Sequence, residues 1–125
     1  MITDNESSTV LIVDDDRLMR LGMRKLLTKA GYKVVGTAAD GIEAVKKAED
    51  LQPNIILMDL VLPRVHGVSA IEKIAHLVPR SNIIILTGLY TQSIVNEALE
   101  AGAKDYIFKP FELSDLLTMI QKNCN

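Results

Sequence analysis

Two apolar runs that end in acid constrain this chain more than any other feature. Val10-Leu11-Ile12-Val13 leads straight into Asp14-Asp15-Asp16, and Ile55-Ile56-Leu57-Met58 leads into Asp59. Each run has four apolar residues, many of them β-branched, and is short, so each reads as a strand. A strand apolar at every position is buried on both faces, as in a parallel sheet covered by helices on both sides. Carboxylates beside such a core are costly unless something pairs with them. Acids at two strand ends of one small chain therefore suggest a shared site that holds a cation and does chemistry on an acid.

The rest of the chain alternates in the same way. The first strand spans Thr9–Val13, followed by a helical stripe of Met19, Met23, Leu26, Leu27 and Ala30 that Gly31 closes. Lys33–Ala38 reads as a second strand. Asp40 caps the next helix, with Glu43 in a capping-box-like position and Ala44, Val45 and Ala48 as its buried stripe. Pro53 precedes the third strand, Ile55–Met58, and Pro63 and Gly67 punctuate the loop beyond it. Ile71, Ile74 and Leu77 mark a third helix that ends before Pro79. Asn82–Leu86 is a fourth strand, and Ile94, Val95, Ala98 and Leu99 a fourth helix closed by Gly102. Asp105–Phe108 is a fifth strand, and Leu113, Leu116, Leu117 and Ile120 stripe the last helix. Five βα units with right-handed crossovers make a doubly wound open α/β sheet, since a barrel usually needs eight.

Composition narrows the function. The 125 residues fit one domain, and 48% hydrophobic content supplies a real core. A net charge of -2 without a run of Lys or Arg argues against direct nucleic-acid binding. The single cysteine, Cys124, excludes an internal disulfide framework and fits a reducing compartment. No apolar stretch approaches the ~20 residues of a membrane span, and Met1 to Ser8 is a polar, acidic tail unlike a signal peptide. The expected location is cytoplasmic.

In open α/β sheets ligands sit beyond the carboxyl ends of the strands, at the point where strand order reverses. Here those ends carry Asp14-Asp15-Asp16, Asp59, Thr87-Gly88 and Lys109-Pro110. In the order 2-1-3-4-5, taken over from known sheets of this type, strands one and three flank the reversal and the acids converge. Crowded carboxylates repel, and a hard divalent cation offsets the repulsion. Oxygen-only donors favour Mg2+ (or Mn2+) over zinc or copper. A carboxylate beside such a cation can act as a nucleophile and form an acyl phosphate. Phosphoryl transfer needs positioning and charge neutralisation, roles that Lys109, Thr87 and the amide of Gly88 suit.

With these residues in order, the chain resembles a response-regulator receiver domain of two-component signalling, stand-alone chemotaxis-regulator-like or sporulation-phosphorelay-like. The resemblance runs from residue 9 to about 122 of a receiver domain placed at 9–125. It rests on Asp14-Asp15, on Asp59 followed by Leu60-Val61-Leu62-Pro63 and Gly67, on Thr87-Gly88, and on Tyr106-Ile107-Phe108-Lys109-Pro110-Phe111. It implies a flavodoxin-like (βα)5 fold and Asp59 as phosphoacceptor. The donor would be a phosphohistidine of a sensor histidine kinase or phosphotransfer protein. It further implies that Asp15 holds Mg2+ directly and Asp14 partly through water, with Asp59 and the backbone carbonyl of Val61 completing the protein ligands. Lys109 would pair with Asp59 and then with the phosphoryl group, and Thr87 would hydrogen-bond a phosphoryl oxygen. Thr87 and Tyr106 would form the switch that alters the face of the fourth helix, fifth strand and fifth helix toward a downstream protein target. The Lys109-Pro110 bond would be cis, and dimerisation through the same face is left open. Only Gln121–Asn125 follows the last helix, so the expectation is a stand-alone receiver or a cut from a longer regulator.

Other residues have plainer readings. Asp16 reads as an exposed acid at a helix start. His66 and His76 read as solvated, and Met19 and Met23 as packing residues. Arg17, Arg20 and Arg24 give the first helix a basic edge, solvated by default, with partner docking as the alternative. Val61 and Leu89, two positions beyond Asp59 and Thr87, are apolar where the family controls water access, so slow loss of the phosphoryl group is the hypothesis. A Val61→Asn variant that dephosphorylates no faster than wild type would refute it. Competing readings are weaker. A haloacid-dehalogenase-type phosphatase would use Asp14 and Asp16, but Arg17 stands where it wants Thr or Val. A flavodoxin-like FMN carrier would place phosphate against three acids, and the chain has no tryptophan to stack on a flavin. A receiver that only docks would not need the full set of Asp14, Asp15, Asp59, Thr87 and Lys109.

Overall fold

Every strand run serves two cores at once. The computed structural model describes residues 8–62, 66–88 and 92–124; the readings made on Pro63, Leu89 and the tail before Ser8 lie outside the described residues. Its strands are β1 (Thr9–Val13), β2 (Lys33–Ala38), β3 (Ile55–Asp59), β4 (Asn82–Thr87) and β5 (Asp105–Phe108). They form one parallel sheet in the order β2-β1-β3-β4-β5. The helices are α1 (Arg17–Lys29), α2 (Gly41–Leu51), α3 (Gly67–Leu77), α4 (Gln92–Ala101) and α5 (Leu113–Lys122).

Side chains alternate across a strand with a period of two, and the two cores divide accordingly. Leu11, Val13, Ile56, Met58, Ile83 and Ile85 pack with Ala44 and Ala48 of α2, Ile71 and Ile74 of α3 and Ala98 of α4. Val10, Ile12, Ile55, Leu57, Ile84 and Leu86 pack instead with Met23 and Leu27 of α1 and Leu116 and Ile120 of α5. The unbroken apolar runs are thus two interleaved half-strands, one for each layer of helices.

Local chemistry sets the boundaries. Asp16 caps α1, its carboxylate accepting from the amides of Leu18 and Met19. Asp40 caps α2 by accepting from the Glu43 amide, and Glu43 reaches back to the Ala39 amide, a near capping box. Gly31 and Gly102 take positive φ just past α1 and α4, where an L side chain would be strained. Three stripe assignments need correction: Leu26, Leu77 and Leu113 are among the exposed apolar residues, Leu77 and Leu113 because each sits at a helix end beyond the reach of the sheet, and Leu26 because it lines the groove between α1 and α5. Asp59 is the last residue of β3 rather than the first of the loop. No helix among the described residues is long and apolar enough to cross a membrane.

Candidate functional site

Register brings the acids together. β1 and β3 pair Ile12 with Leu57 and Val13 with Met58, so Asp14 and Asp59 are the next pair along. Adjacent strands lie about 4.8 Å apart, and the alternation that sends Ile12 and Leu57 toward α1 and α5 sends both acids the same way. Carboxylate oxygens of Asp14, Asp15 and Asp59 lie within 4.8 Å of one another. Asp14 is 2% exposed and Asp59 9%, while Asp15 faces solvent. Asp16 is outside the cluster and spends its carboxylate on capping α1, as its position at the helix start suggested.

Lys109, directly after β5, reaches into this cluster. Its Nζ lies 2.9 Å from Asp14 Oδ2 and 3.2 Å from Asp59 Oδ2. The resemblance implied a pair with Asp59; the ammonium is shared, and Asp14 is the nearer partner. Burial alone would lower the pKa of Lys109, but the hydrogen bond to Asp14 and the charge of Asp59 outweigh it. The lysine is therefore held above its ordinary value of 10.5 and stays charged at neutral pH. Three carboxylates against this one ammonium leave the cluster with excess negative charge. An all-oxygen donor set with one arm open to solvent fits Mg2+, which keeps part of its water shell.

The second carboxylate oxygens of Asp14 and Asp59 are held by main-chain amides. Asp14 Oδ1 accepts from the Asp16 amide at 2.9 Å, and Asp59 Oδ1 accepts from the Val61 amide at 3.0 Å. Val61 is 56% exposed, an apolar side chain at the mouth of the site. Thr87 ends β4 fully buried, and its carbonyl accepts the Lys109 amide at 2.8 Å, which ties the ends of β4 and β5 together. The Lys109-Pro110 bond is cis, as expected. Gly88 is exposed just beyond Thr87. Gly67 is needed for another reason: a Cβ there would sit 2.3 Å from the Leu60 carbonyl oxygen, so only glycine lets α3 start against the loop that leaves Asp59. Tyr106 is half-buried, packs against the α2–α4 core, and meets Phe108 edge-on at 5.4 Å.

Two residues do more than their sequence context indicated. His66 is exposed, yet its Nδ1 accepts the Val68 amide at 3.3 Å and so caps α3. Arg20, grouped with Arg17 and Arg24 as a solvated edge, is half-buried and donates from Nη1 to the main-chain carbonyl of Asp14 at 2.8 Å. Its place four residues after the α1 cap, in the turn that faces the acidic loop, was the available signal. His76 and the other two arginines are exposed, as read. Beside the site, Leu18, Met19, Leu26, Pro110, Phe111 and Leu113 line an apolar groove of about 280 Å³ between α1 and α5.

Comparison with known proteins agrees with this architecture. The family model for the response regulator receiver domain matches residues 10–121. The chemotaxis protein CheY of Thermotoga maritima is 43% identical over 113 residues, covering 90% of this chain and 94% of its own. The receiver domain of a sensor histidine kinase from Pseudomonas aeruginosa PAO1, solved with a magnesium ion coordinated in its active site cleft, is 34% identical. It superposes with a TM-score of 0.84 over 94% of this chain and 97% of that one. The CheY of a CheX-CheY-BeF3-Mg2+ complex from Borrelia burgdorferi is 28% identical with a TM-score of 0.87, covering 92% and 87%. Sheet order, acidic strand ends and these likenesses agree, and the chain belongs to the response regulator receiver domain family.

Proposed function

We propose that this receiver accepts a phosphoryl group on Asp59 from a phosphohistidine of a sensor histidine kinase or histidine phosphotransfer protein. The observation that carries the reading is the convergence of Asp14 and Asp59, each one residue past the last β1–β3 pair, on a shared ammonium, Lys109. In the step, a carboxylate oxygen of Asp59 forms a bond to phosphorus. The bond from phosphorus to the donor histidine nitrogen breaks, and its electron pair leaves with that nitrogen. Asp14, Asp15, Asp59 and the Val61 carbonyl would hold Mg2+, which when bound neutralises charge between acceptor and phosphoryl group. Lys109 is already charged and already at Asp59, so it can follow the new charge onto the phosphoryl oxygens. The Thr87 hydroxyl and the Gly88 amide take further phosphoryl oxygens in this reading.

The chain's own residues also suggest how partners meet it. The groove between α1 and α5 is apolar and is lined by Pro110 and Phe111 together with residues of both helices. We assign it to the phosphodonor. Output is assigned to the α4–β5–α5 face, where Tyr106 lies partly buried and able to respond to Thr87. The exposed apolar side chain of Val61 supports slow hydrolysis of the acyl phosphate. A cytoplasmic location and action as a signalling phosphoprotein rather than a turnover enzyme complete the reading.

The test is direct. Incubation with Mg2+ and acetyl phosphate, followed by intact-mass analysis, should give one phosphoryl adduct in the wild type and none in Asp59→Asn. Sustained turnover of phosphoesters would replace this reading with a phosphatase; no adduct under any donor would leave a docking module.

A further inference from the structure

Asp14 is held at every polar atom. Its amide donates to the Ala38 carbonyl, Oδ1 accepts from the Asp16 amide, and Oδ2 accepts from Lys109. Its carbonyl oxygen accepts from Arg20. That carbonyl belongs to the peptide unit leading into Asp15, and a peptide unit is planar. Fixing its oxygen fixes the direction in which Asp15 leaves the loop. Asp15 itself is exposed, so its aim depends on the backbone that carries it. Arg20 is suited to this task. It sits at the start of α1, its amide bonded to the Asp16 carbonyl at 3.0 Å, and its charged fork makes a strong bond to a neutral carbonyl. Lys25, also on α1, is exposed and provides a charge-matched contrast.

We infer that Arg20 is a positioning residue of the phosphoryl-transfer site, acting through the Asp14–Asp15 peptide to hold the acidic pair in its cation-binding arrangement. The inference rests on the proposed function above and adds to it a residue that the acidic motif does not include. Its sign is diagnostic. A guanidinium near a cation site repels the cation, so a purely electrostatic role predicts that removing it tightens Mg2+ binding. A positioning role predicts the reverse.

The experiment is calorimetric titration of the full chain with Mg2+ alone, without phosphodonor, for wild type, Arg20→Ala, Arg20→Lys and Lys25→Ala. Removing a group that orients a metal ligand weakens metal affinity by about tenfold or more. Arg20→Ala should lose about that factor, Arg20→Lys should recover part of it, and Lys25→Ala should stay near wild type. Thermal melts in EDTA confirm that each variant is folded. Mg2+ binding by Arg20→Ala that equals or exceeds wild type overturns the inference, and so does an equal loss in Lys25→Ala. If Arg20→Ala does not fold, Arg20→Lys decides, because full wild-type affinity there would show that charge alone suffices. The outcomes also separate the inference from its premise. A wild type that binds no Mg2+ and takes no phosphoryl group defeats the functional reading, whereas a wild type that does both with an unaffected Arg20→Ala defeats only this inference.

Discussion

The two poles of the sheet are built from the same strands and solve the problem of polar groups beside a core in opposite ways. At the amino pole the partners are matched: one ion pair, Asp105 with Lys122 at 3.3 Å, and otherwise neutral groups. Thr9 Oγ1 donates to Asn54 Oδ1, which also accepts the Thr9 amide, while the Asn54 amide donates back to Thr9. Ser81 is bonded to the Pro53 carbonyl and Asn82 to the Asn123 carbonyl. At the carboxyl pole the groups are charged and unequal, three carboxylates around one lysine. The amino pole is complete as it stands. The carboxyl pole holds more carboxylates than ammonium groups, so a bound cation would offset its charge. The polar groups of the two poles thus differ here in charge balance.

The sharpest way to break this comparison is to remove the lysine that Asp14 and Asp59 share. Lys109→Ala should slow adduct formation from acetyl phosphate at saturating Mg2+ by about 10²–10³-fold, the usual effect of deleting one preorganised charge-stabilising donor. Rapid-quench mass analysis reads the rate. A rate within a few-fold of wild type would mean that Lys109 only fills space.

Next in size is the effect of the missing positive charge. Mg2+ at about 100 times its Kd should stabilise the wild type by about 2.7 kcal/mol in chemical denaturation. Asp15→Asn should lose this increment and, in EDTA, be slightly more stable than wild type, because one repelling charge is gone. An Asp15→Asn protein that is less stable than wild type in EDTA would show that the acids are balanced without a metal.

Smaller effects belong to the amino pole. Asn54→Ala removes the two bonds that Asn54 Oδ1 accepts from Thr9 and should cost about 1–2 kcal/mol of stability, with the phosphorylation rate and its Mg2+ dependence unchanged. A change in either would join the two poles mechanically and undo the distinction. Smallest is an alkaline step. Lys109 has its folded pKa raised above 10.5, so the stability of its pairing is fully present below that value and is lost as pH climbs through the folded pKa. Denaturation curves across that range should show the step in wild type and its absence in Lys109→Met.

The same contrast explains what was legible in the sequence. The strands β1, β2 and β5 span the residues read from the sequence, and β3 and β4 run one residue further, to Asp59 and Thr87. The apolar runs of β1, β3 and β4 stand out because a strand buried on both faces has no freedom to be polar in its middle. The acids, Thr87 and Lys109 were visible because each directly follows such a run. Less legible was how contacts are shared. Lys109 was expected at Asp59 and is nearer Asp14, since that depends on the reach of a flexible side chain. Arg20 read as one of several solvated arginines, because periodicity places it on α1 without showing that it folds back over the loop. His66 read as a loop residue, and its capping role emerged only once α3 was seen to start at Gly67. The Thr9–Asn54 contact joins residues 45 apart, which no local pattern reveals.

The central claim is that charge imbalance at the carboxyl pole makes one particular acid the acceptor. After reaction with acetyl phosphate and Mg2+, borohydride reduction converts an acyl phosphate to the alcohol, so an aspartyl phosphate is read as homoserine by peptide mapping. Homoserine at position 59, at that position alone and only when Mg2+ was present, is the predicted result. Homoserine at position 14 or 15, or at 59 in equal yield without a divalent cation, would contradict the account.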